Sequence, residues 1–168
     1  MTDITRRGAL ALGAGAAATL AGCGSKILTY DGPEITRVVV QKAERRMFLI
    51  NGSTALRVVP VQLGFTAHGP KQFEGDGRTP EGRYHIDRRN PNSAFYLSVG
   101  IDYPNMRDRA FAASMGRRPG GDIFIHGWGD RKRDASHDWT AGCVAVTNDQ
   151  MREVYAMVRN GTPVDIYA

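Results

Sequence analysis

Two residues in this chain have the types and setting for nucleophilic chemistry. Cys143 lies in the run Trp139-Thr140-Ala141-Gly142-Cys143-Val144, and His126 closes the apolar stretch Asp122-Ile123-Phe124-Ile125. A free thiol has a pKa of about 8.5, so only a few per cent is thiolate at neutral pH; a neighbouring imidazole corrects this by taking the proton or by holding the thiolate as an ion pair. Gly142 permits a tight turn that aims the Gly142 and Cys143 N–H groups at a developing oxyanion. The imidazole needs an orienting acceptor, for which the residues offer the Gly127 carbonyl or a carboxylate from Asp130, Asp134 or Asp138. A zinc site from His126, His137 and Cys143 has suitable ligand types but lacks the close paired spacing of structural zinc motifs, and no metal or other cofactor is expected.

For the pair to meet, His126 must end one strand and Cys143 begin a neighbouring one, with Gly127 to Ala141 looping between them as a wall of the site. The surrounding pattern supplies such strands. β-Branched or alternating runs at 35–41, 46–50, 55–63, 83–86, 94–101, 122–126, 143–147 and 164–167 read as strands. Asn51-Gly52 marks a hairpin, and Pro60 places the third strand at an edge or bulge. The stretch from Gly64 to Gly82 is too rich in Gly and Pro to be helical. One helix is expected, capped within Thr147-Asn148-Asp149-Gln150, with Met151, Val154, Tyr155 and Val158 on its buried face and Gly161 and Pro163 stopping it. The expected fold is mostly β, a sandwich or barrel with one or two packed helices.

Residues 1–22 read as an export signal. Arg6-Arg7 precede a run from Gly8 to Ala21 made mostly of Ala, Gly and Leu, shorter than the ~20 apolar residues that span a bilayer. The run ends in Leu20-Ala21-Gly22-Cys23, which resembles a bacterial lipoprotein processing box. Cys23 would then carry lipid, residues 23–34 would form a tether, and residues 35–168 a single catalytic domain. Gly24 after the cysteine favours an outer membrane destination. The chain carries a formal charge of +5. Its one dense basic cluster, Arg131-Lys132-Arg133, is followed at once by Asp134, and no nucleic-acid module accompanies it. With Cys23 in the signal, Cys143 is the lone thiol of the domain and has no disulfide partner within it.

Ile125-His126-Gly127 followed by Thr140-Ala141-Gly142-Cys143-Val144 resembles the signature of the L,D-transpeptidase catalytic domain family (YkuD-type). Thr79-Pro80-Glu81-Gly82-Arg83-Tyr84 and the closing Gly161-Thr162-Pro163-Val164 are similar to further elements of that family. The resemblance implies acyl transfer on peptidoglycan stem peptides, with Cys143 as nucleophile, His126 as proton donor and acceptor, and the Gly127 carbonyl orienting the imidazole. It also implies an oxyanion hole from the Gly142 and Cys143 amides. The acceptor would be an amine in a transpeptidase or water in an L,D-carboxypeptidase or amidase; a wall-binding lipoprotein without activity is the remaining alternative. Two positions depart from the family: Ala141 replaces a frequent histidine and Ala145 a frequent arginine. Arg78, Trp128, Arg131, Arg133 and Thr140 are the candidate substrate contacts. The oligomeric state is not indicated.

Overall fold

The computed structural model describes residues 26–66, 68–131 and 133–168. The export signal over 1–22 and Cys23 lie outside them. The expected tether, over its described part 26–34, is irregular and mostly exposed, yet it is docked: the Lys26 ammonium donates to the Pro91 carbonyl at 2.8 Å and lies 4.9 Å from the Tyr96 ring centre.

The β-branched run that opens the domain forms β1 (Arg37–Gln41), paired antiparallel with β2 (Arg46–Asn51), which turns through Gly52 into β3 (Thr54–Pro60). Then follow β4 (Gly82–Ser93), β5 (Tyr96–Ile101), α1 (Met106–Ser114), β6 (Phe124–His126), β7 (Val144–Ala145), α2 (Asn148–Met157) and β8 (Pro163–Tyr167). The strands form one ladder in the order β3-β2-β1-β8-β4-β5-β6-β7. Pro60 ends β3 on the outermost strand, where a missing N–H breaks no inner pairing.

The twelve residues of β4 serve both halves of the ladder. Gly82 to His85 pair with β8, and Ile86 to Ser93 pair with β5 across a register shift at Ile86/Arg88. Beyond β3 the chain crosses to the far end of the ladder, where Gln62 bridges to Ala145 and Gly64 to Thr140. These bridges wrap the ladder toward closure, in agreement with the expected sandwich or barrel. The core packs Val38, Met47, Leu49, Leu97, Val99, Ile125 and Val144 against Met151, Val154, Tyr155 and Val158.

α2 begins as the sequence indicates, with the Gln150 N–H donating to the Thr147 hydroxyl at 3.3 Å and the Thr147 N–H to the Gln150 side-chain oxygen at 3.0 Å. α1 was not singled out because it has no apolar stripe: among its residues only Ala112 is buried. Its start is set by polar chemistry instead, a capping box between Asn105 and Asp108. The strand expected over 143–147 shrinks to two residues, since Thr147 caps α2 and Gly142 turns with φ +136°.

One buried cation fixes the loop from β3 to β4. Lys42, 3% exposed, donates to the Gly69 carbonyl at 2.7 Å, the Thr79 carbonyl at 3.0 Å and Glu81 Oε1 at 2.7 Å. Lys42→Met leaves those acceptors without their donor and is expected to lower stability by about 3 kcal/mol in urea denaturation. A loss below about 1 kcal/mol would show that the loop is held by other contacts.

Candidate active site

β6 and β7 run parallel and adjacent, with Ile125 opposite Val144 and His126 opposite Ala145. Side chains alternate along a strand, and Ile125 and Val144 point into the core, so Phe124, His126, Cys143 and Ala145 occupy the opposite face. The sequence-stated condition for Cys143 and His126 to share a site is met. Both line a cleft of about 260 Å³ together with Asn90, Ser93, Ala94, Phe95, Ser98, Asp122 and Phe124.

The His126 imidazole is 4% exposed, and its Nδ1 lies 2.7 Å from the Gly127 carbonyl oxygen. A carbonyl can only accept, so Nδ1 carries the proton and Nε2 the free lone pair. The three aspartates considered from sequence do not take this role: Asp138 pairs with Arg45 and accepts from the Leu63 N–H, Asp134 accepts from Ser136 and His137, and Asp130 has no bond to the imidazole. Phe95 packs on the imidazole with ring centres 4.6 Å apart, and Trp139 approaches it edge-on at 5.6 Å. Burial holds the His126 pKa below its ordinary value; the Gly127 bond opposes this and the Arg133 charge adds to it. The ring is therefore neutral at pH 7 and available as a base.

Among the described residues Cys143 is the free cysteine. Its sulfur accepts from the Phe124 N–H at 3.4 Å and donates to the Asp122 carbonyl at 3.5 Å, rather than bonding to His126. Burial pushes the thiol pKa up, opposed by the Phe124 N–H and by the charges of Lys71 and Arg88. Burial thus favours the neutral form of both the His126 imidazole and the Cys143 thiol over an ion pair between them.

Gly142 has a compelling reason to be glycine. Besides its φ of +136°, a Cβ there would sit 2.6 Å from the Arg78 carbonyl oxygen. Its N–H, however, donates to the Thr140 hydroxyl at 3.1 Å, and that hydroxyl donates to the Cys143 carbonyl at 2.7 Å. This corrects two expectations. Thr140 is 3% exposed and braces the turn instead of meeting substrate. The Gly142 amide is engaged, whereas the Cys143 N–H has no acceptor among the described residues.

Arg78 enters the site through its backbone against Gly142, and its side chain does not line the Cys143 cleft. Trp128, Arg131 and Arg133 line a second cleft of about 490 Å³ with Asp130 and Trp139, which shares Ala94 and Phe95 with the first. Arg133 stacks on the Trp139 ring at 3.4 Å from its centre. His137 pairs with Asp134 at 2.9 Å and does not join His126 or Cys143. Ala145, 1% exposed, exchanges backbone bonds with Gln62 at 2.8 and 2.9 Å and lines a small recess of about 50 Å³ with Gln62, Trp128 and Gln150.

Several positioning groups lie outside the motif. Asn148 Oδ1 accepts from the N–H groups of Trp128 at 2.9 Å and Gly129 at 3.1 Å, while its Nδ2 donates to the Gly129 carbonyl at 2.9 Å. A Cβ on Gly127 would lie 2.7 Å from that Oδ1, so the glycine lets the clamp close. Gln62 Nε2 holds the carbonyls of Asp134 and His137, and its oxygen accepts from the Trp139 indole at 2.9 Å. Asn148 carried a sequence signal only as a helix start, and Gln62 carried none.

The ladder of short strands brings a free cysteine and a carbonyl-oriented histidine into one cleft beside the parallel pair β6 and β7. The chain belongs to the YkuD family, the L,D-transpeptidase catalytic domain, whose model matches residues 35–166. It is 35% identical over 92 residues to the putative L,D-transpeptidase YafK of Escherichia coli K12, a match covering 54% of this chain and 32% of that protein. The matched segment is thus about a third of the relative's length. A point mutant of the helical cell shape determining protein Pgp2 from Campylobacter jejuni superposes with a TM-score of 0.59 at 25% identity, over 84% of this chain and 49% of the other. The L,D-transpeptidase from Mycobacterium smegmatis shares the fold at 15% identity, with a TM-score of 0.55 over 80% of this chain and 59% of the other.

The neutral resting pair makes alkylation of Cys143 pH-dependent in a defined sense. Only thiolate reacts, and the raised thiol pKa means the iodoacetamide rate should climb through and beyond the ordinary cysteine range, measured by intact mass across pH. A rate already at its plateau near about pH 6 would instead mean a preformed thiolate.

Proposed function

We propose that this domain catalyses cysteine-dependent acyl transfer on peptidoglycan stem peptides. The observation that carries the reading is one cleft wall holding both the Cys143 sulfur and an imidazole whose proton is pinned on Nδ1 by Gly127. As Sγ attacks the carbonyl carbon after the third stem residue, the thiol proton moves to His126 Nε2. The Cys143 N–H faces the oxyanion. Collapse breaks the C–N bond, His126 returns the proton to the leaving amine, and a thioester remains on Cys143. An amine then takes the acyl group in a transfer, or water takes it in a carboxypeptidase or amidase reaction. The second cleft, with Arg131 and Arg133, is suited to carboxylates of the stem peptide and replaces the arginine absent at Ala145.

Incubation with tetrapeptide muropeptides followed by mass spectrometry is expected to yield a Cys143-dependent product. Cys143→Ala should abolish it and His126→Ala should lower its rate by at least about 100-fold. A dimer or exchange product identifies an amine acceptor, and gain of one water identifies hydrolysis. Identical spectra for wild type and Cys143→Ala would sink the proposal.

The same reading sets the enzyme outside the cytoplasmic membrane, exported by residues 1–22 and anchored through lipid on Cys23. Its support is the sequence pattern of that segment. The protein recovered from membranes of an expressing bacterium should have the mass of a chain beginning at a diacylated Cys23. Recovery of the unprocessed chain from the cytoplasm would contradict it.

A further inference from the structure

Ser98 is a buried hydroxyl on the wall of the reaction cleft. It is 3% exposed, lines the same cleft as Cys143 and His126, and its hydroxyl has no hydrogen-bond partner among the described residues. Its neighbours Leu97 and Val99 belong to the core, so Ser98 projects from the opposite face of β5. The register sets it directly across from His126. Residues facing each other in antiparallel strands hold their Cβ atoms roughly 5 Å apart. His126 therefore stands between Ser98 on β5 and β7, the strand that Cys143 immediately precedes. Lining the cleft with no partner among the described residues, the hydroxyl is free to bond a group held there.

We propose that Ser98 positions the acyl acceptor, its hydroxyl accepting a hydrogen bond from the incoming amine or water while that nucleophile gives its proton to His126. The assignment rests on the acyl-transfer reading above and concerns its second half. The acceptor's nitrogen or oxygen bonds to the thioester carbonyl carbon and its proton passes to Nε2. The carbon–sulfur bond then breaks, its electron pair returns to Sγ, and His126 delivers the proton to the thiolate. Ser98 supplies no proton and forms no covalent bond; it fixes where the acceptor waits in the cleft it shares with His126 and Cys143.

The full chain as wild type, Ser98→Ala, Ser98→Thr and Cys143→Ala separates these steps. In Ser98→Ala, muropeptide turnover should fall roughly 10- to 100-fold, because one orienting hydrogen bond is lost. The thioester on Cys143 should accumulate in intact mass spectra, and iodoacetamide labelling should stay within about two-fold of wild type. The melting temperature should hold, since the hydroxyl makes no hydrogen bond to the described residues. Ser98→Thr should recover most of the turnover. Unchanged turnover in Ser98→Ala overturns the assignment. So does a joint fall of turnover, labelling and melting temperature, which marks a structural role, or lost turnover without thioester accumulation. Wild type no more active than Cys143→Ala overturns the acyl-transfer reading itself, and the role of Ser98 with it.

Discussion

The parallel pairing of β6 with β7 is the constraint on which the site depends. Two strands of three and two residues are too short to be stable alone, and their hydrogen bonds matter less for energy than for register. A slip by one residue would send His126 into the core and Ile125 into the cleft. The apolar partners Ile125 and Val144, both 1% exposed, prevent that slip by needing the same buried layer. Hydrophobic burial thereby sets the relative position of two polar groups that make no direct bond to each other in the resting enzyme.

The loop between those strands is held chiefly by polar anchors from distant parts of the chain. Asn148 clamps its start, Gln62 its middle, and Arg45 with Asp138 its end, where the carboxylate also receives the Leu63 N–H at 2.8 Å. A half-buried ion pair of this kind adds modest stability, but it is directional. It keeps Trp139 against His126, and that indole excludes water from the imidazole and helps keep it neutral. The wall and the base are parts of one electrostatic arrangement.

The chemistry was more legible in the sequence than its supports. Cys143, His126, Gly127 and Gly142 stand out because their requirements are local: a thiol, a base, a carbonyl next to the base and a left-handed turn. The strand pattern and α2 were legible for the same reason, each having a short-range period or cap. Ser98, Asn148 and the Arg45–Asp138 pair depend on a register that joins residues up to 93 positions apart, which no local spacing encodes. Thr140 was misread as a substrate contact because the direction of a short hydroxyl depends on the turn it stands in. α1 escaped notice because it buries one alanine and nothing in its sequence repeats at helical spacing.

Ala145 has a consequence for how this sequence can change over time. The space beside it is small, about 50 Å³, and is lined by the same Gln62 that fastens the loop over His126. A guanidinium introduced there would crowd that glutamine in a recess lined by no acidic side chain. An arginine at this position therefore calls for change elsewhere, at Gln62 and in the loop it fastens. The alanine is one member of an interlocked set of positions, and drift at any of them is conditional on the others.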